Sequence, residues 1–70
     1  MMPLTMAAEN EINYIKKVGG NSEVKRHLET LGFVAGGEVR VISQLNGNLI
    51  VSIKDSRVAI SKEMANKIMV

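Results

Sequence analysis

Few side chains in this 70-residue chain could do chemistry. It has no cysteine, which excludes disulfides and thiolate metal sites, and His27 is its one histidine. No Asp–His or Cys–His arrangement supplies a nucleophile together with its base, and each serine has a turn, a helix cap or a strand face to explain it. The sequence therefore predicts a protein that is not an enzyme.

Glu23 and His27 are weak candidates for metal ligands. They are four residues apart, so on a helix their side chains would be neighbours. Two ligands on an exposed helix rarely hold a divalent ion against water, and a helix-stabilising pair explains the same spacing. We expect no metal site and no cofactor.

The charges are balanced rather than clustered. Nine Lys and Arg against seven Asp and Glu give a net charge of +2, and acids alternate with bases along most of the chain. A surface that follows phosphates usually combines a basic stripe with stacking aromatics, but Tyr14 and Phe33 are the only aromatics here. A protein partner is therefore favoured over nucleic acid.

The subcellular location is predicted from the charge of the segment before Lys16 and from the length of the apolar runs. The segment before Lys16 has no positive side chain, which is unlike a signal peptide. No apolar run approaches the roughly 18 residues that a membrane span needs. We expect a cytoplasmic protein.

One helix is predicted, and either Asn21 or Ser22 can be its N-cap. The helix is predicted to end at Gly32, which can adopt the left-handed conformation after the last turn. Glu23 falls in the first turn, where the helix dipole favours an acid. The apolar stripe that would face the core consists of Val24, Leu28 and Leu31. Lys25, Arg26 and Glu29 then project outward and are the first candidates for binding a partner, although a solvated face with a Lys25–Glu29 pair explains the same pattern.

The remaining pattern predicts strands. Residues 39–45 and 49–53 alternate on either side of Asn46-Gly47, a pair suited to a type I′ hairpin turn. The side chains predicted to face the core are Val39, Val41, Leu45, Leu49, Val51 and Ile53. Residues 11–18 fit either a strand, with Ile12, Tyr14 and Val18 on one face, or a weakly amphipathic helix; the following glycines favour the strand.

The last segments are short. Asp55-Ser56 is predicted as a turn that leads into residues 57–60, Ser61 as the cap of a single helical turn, and residues 68–70 as a terminal strand. Residues 1–70 thus make one domain, mostly β with one short α-helix, in which about five strands form a small β-barrel. Arg57, beside the turn, is a second candidate for partner binding because binding residues concentrate in loops.

The helix end and its continuation, Leu31-Gly32-Phe33-Val34-Ala35-Gly36, resemble the FeoA family, which carries a similar Leu-Gly-apolar stretch ending in Gly. The closing run Val58-Ala59-Ile60-Ser61 and the segment from Leu4 to Ala8 also look like this family. Glu9-Asn10-Glu11 departs from it, because a glycine-containing turn is more usual there. The resemblance covers nearly the whole chain.

This resemblance implies an SH3-like barrel in the cytoplasm that assists ferrous iron uptake by docking on the GTP-binding domain of the membrane transporter FeoB. The candidates for the docking surface remain the residues named above from their positions, Lys25, Arg26, Glu29 and Arg57. No small-molecule substrate is expected. Self-association stays open. One alternative is a small barrel that binds nucleic acid, which the sequence pI of about 9.2 and the use of small barrels on single strands would fit. Another is a metal-sensing regulatory domain. The same barrel also resembles the C-terminal domain of iron-dependent repressors, and fold alone does not separate these roles.

Overall fold

A computed structural model describes residues 1–70 and contains six strands and two α-helices. A short 3₁₀ turn, Leu4–Met6, precedes them. The elements in chain order are β1 (Ile12–Tyr14), β2 (Lys17–Val18), α1 (Ser22–Leu31), β3 (Glu38–Leu45), β4 (Asn48–Ile53), β5 (Ser56–Ser61), α2 (Lys62–Ala65) and β6 (Ile68–Met69). Neither helix has the length and apolar composition that crossing a membrane requires.

The strands form two antiparallel sheets. A four-stranded sheet has the order β1-β3-β4-β5, and a two-stranded sheet joins β2 to β6. The chain ends lie side by side, because the Met2 N–H donates to Val70 O at 2.9 Å and the Val70 N–H donates to Met2 O at 2.8 Å. The hydrogen bonding does not close into one ring, so β1 and β5 remain edges of the larger sheet.

Helix α1 begins and ends where the sequence predicts. The Asn21 side chain accepts from the Val24 N–H at 2.9 Å, which satisfies one of the free donors of the first turn. Gly32 adopts a φ of 109°, a backbone conformation that is unfavourable for any residue with a Cβ atom. The Phe33 N–H then donates to Leu28 O at 2.9 Å. This ending turns Phe33 into the core.

The β3–β4 hairpin is confirmed, with one exception. Asn46 and Gly47 have φ values of 49° and 81°, as a type I′ turn requires. Leu45, however, is 65% exposed, because a register shift between Val41 and Ser43 adds one residue to β3. An added residue moves every later side chain to the opposite face, so Gln44 rather than Leu45 lies opposite the buried Leu49.

Two predicted details of the strands are wrong. Residues 12–14 pair with β3 and residues 17–18 pair with β6, so Ile12 and Tyr14 are 50% and 57% exposed while Val18 is buried. The second hairpin turn consists of Lys54-Asp55 rather than Asp55-Ser56. Ser56 already pairs with Ile53 as the first residue of β5.

The core is one cluster of fifteen buried side chains, and all of them are apolar. Phe33 is the largest and is fully buried. The cluster consists of Leu4, Ala7, Ile15, Val18, Leu28, Phe33, Val39, Val41, Leu49, Val51, Ile53, Ile60, Ala65, Ile68 and Val70. No charged side chain is buried, so every charge of the protein is at its surface.

Candidate functional site

Two grooves flank the outer face of α1. The β2–α1 groove, of about 230 Å³, is lined by Lys16, Lys17, Val18, Lys25, Glu29, Phe33, Val34 and Ala35. The α1–α2 groove, of about 470 Å³, is lined by Glu23, Val24, Arg26, His27, Thr30 and Met64. Both are open to solvent, and each uses a different side of the same helix.

The charged lining of the β2–α1 groove is mainly basic. Lys16 immediately precedes β2 and Lys17 is its first residue, whereas Lys25 belongs to α1 and lies one turn before Glu29. None of the hydrogen bonds made by side chains in this protein uses a charged group, and none joins Lys25 to Glu29. These ammonium groups are therefore available to a partner.

Backbone hydrogen bonds hold the walls of the β2–α1 groove. The Lys16 N–H donates to Met69 O at 2.7 Å, which fixes the β2 wall to the C-terminal strand. On the opposite wall, the Gly36 N–H donates to Ile15 O at 2.7 Å and the Gly37 N–H donates to Val34 O at 2.9 Å. Val34 is 38% exposed between these contacts. The groove thus combines cationic side chains with an apolar lining on a backbone that is already ordered.

The α1–α2 groove contains the two weak metal candidates. Glu23 and His27 both line it, as their spacing predicts, together with the thioether of Met64. The structure contains no group of three or more histidine, cysteine, aspartate or glutamate side chains that could hold a metal ion. The thioether adds little for iron, because methionine is a soft ligand that prefers copper(I).

The structure divides the predicted partner-binding residues. Lys25 and Glu29 line the β2–α1 groove, whereas Arg26 lines the α1–α2 groove. The sequence did not identify Lys16 and Lys17 as part of the same surface. Their adjacency is visible in the sequence, but their position opposite Lys25 depends on the pairing of β2 with β6, which residue periodicity does not reveal.

Arg57 lies apart from both grooves. It is the second residue of β5, not a turn residue, and it pairs with Ser52 of β4. Ser52 in turn lies opposite Arg40, and Arg40 lies opposite Ile12, so these four side chains share the outer face of the sheet. Arg57 therefore belongs to a separate surface, formed by the sheet.

Comparisons with known proteins agree over nearly the full chain. A model of the FeoA domain family matches residues 2–70. A Methanocaldococcus jannaschii protein, whose name assigns it to Fe(2+) transport as protein A, is 37% identical over 70 residues, which is 100% of this chain and 85% of the relative.

Solved structures give the same fold. A Stenotrophomonas maltophilia FeoA, solved with zinc and described as a procaryotic SH3 domain protein, is 25% identical with a TM-score of 0.85, over 99% of this chain and 88% of that one. A manganese-dependent transcriptional repressor also matches, with a TM-score of 0.85 at 16% identity, over 94% of this chain and 38% of the repressor. The SH3-like, mostly β fold predicted from the sequence is confirmed. The repressor match concerns the fold alone.

Proposed function

We infer the function from one premise, namely that this chain belongs to the FeoA domain family. The family is associated with ferrous iron transport. We propose that the protein is a non-enzymatic accessory component of such transport. It docks, on the cytoplasmic side, on the GTP-binding domain of a FeoB-like membrane transporter.

The β2–α1 groove is the observation that supports this docking. Its lysines have no hydrogen-bonded partner within the chain, and its apolar lining is held by backbone hydrogen bonds. A partner segment with acidic side chains around one apolar side chain would match both properties. Such a segment would find the site formed, so little ordering free energy would oppose binding.

Docking can affect the transporter only through a difference in affinity. If the protein binds the GTP-loaded and GDP-loaded domains with different free energies, its binding shifts the equilibrium between them by that difference. Couplings of this kind are typically about 1–3 kcal/mol, which corresponds to a roughly 5- to 150-fold difference in affinity. The accessory protein then biases a switch without doing chemistry.

Nucleic acid is a weaker match to these surfaces. Single-strand binders stack bases on exposed aromatics, but Phe33 is fully buried, and Tyr14 lies opposite Glu38 across β1 and β3. Glu29 also places a negative charge among the lysines of the groove. Both acids would repel a phosphate backbone, whereas a protein partner can match a mixed surface.

The docking face is tested by titrating isotope-labelled protein with the GTP-binding domain of the FeoB-like transporter from the same genome. We expect the largest amide shifts at residues 16–18, 25, 29 and 33–35, which line the β2–α1 groove. The amides of Arg26 and His27 are an internal control, since those side chains line the other groove. Shifts centred on the α1–α2 groove, or none at high concentration, would contradict the proposed face.

A further inference from the structure

The outer face of the four-stranded sheet is the side turned away from the core. Val39 and Val41 are fully buried, so Arg40, which lies between them in β3, is directed outward. Strand β4 alternates in the same way. The side chains of this face are half-buried or exposed, and those used below are Ile12, Arg40, Ile42, Ile50, Ser52 and Arg57.

Two arginines flank one serine across three strands of this face. Arg40 of β3 lies opposite Ser52 of β4, and Ser52 lies opposite Arg57 of β5; we call these three residues the arginine row. Two strand spacings separate the arginine Cα atoms, which is about 10 Å. Because arginine side chains are long and serine is short, both guanidinium groups can reach one ligand group placed above the Ser52 hydroxyl.

The arginine row has no hydrogen-bonded partner within the chain. None of the side-chain hydrogen bonds involves Arg40, Ser52 or Arg57. Glu38 and Asp55, each two residues from one of the arginines, accept no hydrogen bond from them. A guanidinium group has donors and no acceptor, so two of them beside a hydroxyl favour a ligand group with negatively charged oxygens.

An apolar row adjoins the arginine row on the same face. The residue added to β3 puts Ile42 and Ser43 together opposite Ile50 of β4. Ile50 in turn lies opposite Ala59 of β5, which is exposed. Both isoleucines are half-buried, so part of each remains available for contact. A ligand held by the arginines would therefore also meet an apolar surface.

We propose that the outer face of the sheet binds an acidic peptide segment of a protein partner. A carboxylate of this segment lies above Ser52 between the guanidinium groups of Arg40 and Arg57, and an adjacent apolar side chain contacts Ile42 and Ile50. Guanidinium groups bind carboxylates through two parallel hydrogen bonds, which fix the orientation of the bound group. The apolar row favours such a segment over a free anion, which would contact only the arginine row.

This site is separate from the docking surface proposed above. None of the residues of the arginine row or the apolar row lines the β2–α1 groove or the α1–α2 groove. The protein would thus hold two acidic segments on two faces at the same time. The inference is independent of the proposed function, because it concerns the chemistry of the sheet and not the identity of the transporter.

The test is a titration of the isotope-labelled full chain with a short capped peptide of alternating aspartate and leucine, followed through the backbone amides and the arginine Nε–H groups. We expect shifts at Arg40, Ser52 and Arg57, with a dissociation constant for this site on the order of 1 mM. Arg40→Gln and Arg57→Gln should each raise this constant about fivefold. Arg26→Gln is the matched control, since it removes the same charge from α1 and should leave the shifts of the sheet unchanged.

Three outcomes would overturn the proposal. If the peptide shifts residues of the β2–α1 groove but neither Arg40 nor Arg57, the sheet has no such site, and the proposed docking face is unaffected. If inorganic phosphate binds the arginine row as tightly as the peptide does, the apolar row contributes nothing and the ligand is a simple anion. If Arg26→Gln weakens binding at the sheet as much as Arg57→Gln, net charge and not a defined site attracts the peptide.

Discussion

Replacing Phe33 with alanine is expected to lower the free energy of unfolding by about 3–5 kcal/mol. Phe33 is fully buried and is the largest side chain of the core, so its removal loses the transfer free energy of a ring and leaves a cavity. A domain of 70 residues is typically stable by only about 4–10 kcal/mol. The loss is therefore a large share of the total, and urea denaturation followed by circular dichroism measures it.

The matched control for this substitution is the next residue. Val34→Ala also removes apolar atoms, but Val34 is 38% exposed, and we expect a loss of less than about 1 kcal/mol. A Phe33→Ala variant as stable as Val34→Ala would show that the helix ending at Gly32 does not direct Phe33 into the core.

Reversing the charge of Lys17 and Lys25 together is expected to weaken docking on the GTP-binding domain at least tenfold. The two ammonium groups line opposite walls of the β2–α1 groove, and the reversed charges would repel the acidic segment that we propose binds there. Titration calorimetry measures the change in dissociation constant. Because exposed charges are screened, the difference from the parent protein should shrink as salt is added.

The control uses the other side of the same helix. Arg26→Glu and Lys25→Glu each change the net charge by the same amount, but Arg26 lines the α1–α2 groove. We expect Arg26→Glu to change the affinity less than threefold, and Lys25→Glu to change it more. Equal losses would indicate attraction by net charge alone, without a defined groove.

The features predicted correctly from the sequence are local ones. The caps at Asn21 and Gly32 and the turn at Asn46-Gly47 depend on the conformational preferences of a few adjacent residues. The inward positions of Leu49 and Val51 follow from alternation within one uninterrupted strand. No contact distant in the sequence is needed for any of these.

The features that the sequence missed depend on pairing between distant segments. The added residue in β3 that exposes Leu45, and the separation of β1 from β2 that exposes Tyr14, leave no mark in residue periodicity. The turn before β5 lies one residue earlier than predicted, at Lys54-Asp55. Lys54 has a φ of 51°, a conformation that Gly and Asn adopt readily and few other residues do. This displacement puts Arg57 on a strand instead of in a turn.

The candidate site depends both on local sequence preferences and on pairing between distant segments. Lys25 and Glu29 could be assigned to an exposed helix face from spacing alone. Their association with Lys16 and Lys17 required the β2–β6 pairing, which brings residues near the C-terminus beside a segment some fifty residues earlier. A sequence can therefore indicate which side chains are free, but not which of them share a groove.

The central claim is that docking distinguishes the nucleotide state of the transporter's GTP-binding domain. Titration calorimetry of this protein against that domain, loaded in parallel with GDP and with a non-hydrolysable GTP analogue, tests it most directly. We predict dissociation constants that differ at least fivefold between the two states. Equal affinities would contradict the claim, because a ligand that binds two states equally cannot shift the equilibrium between them.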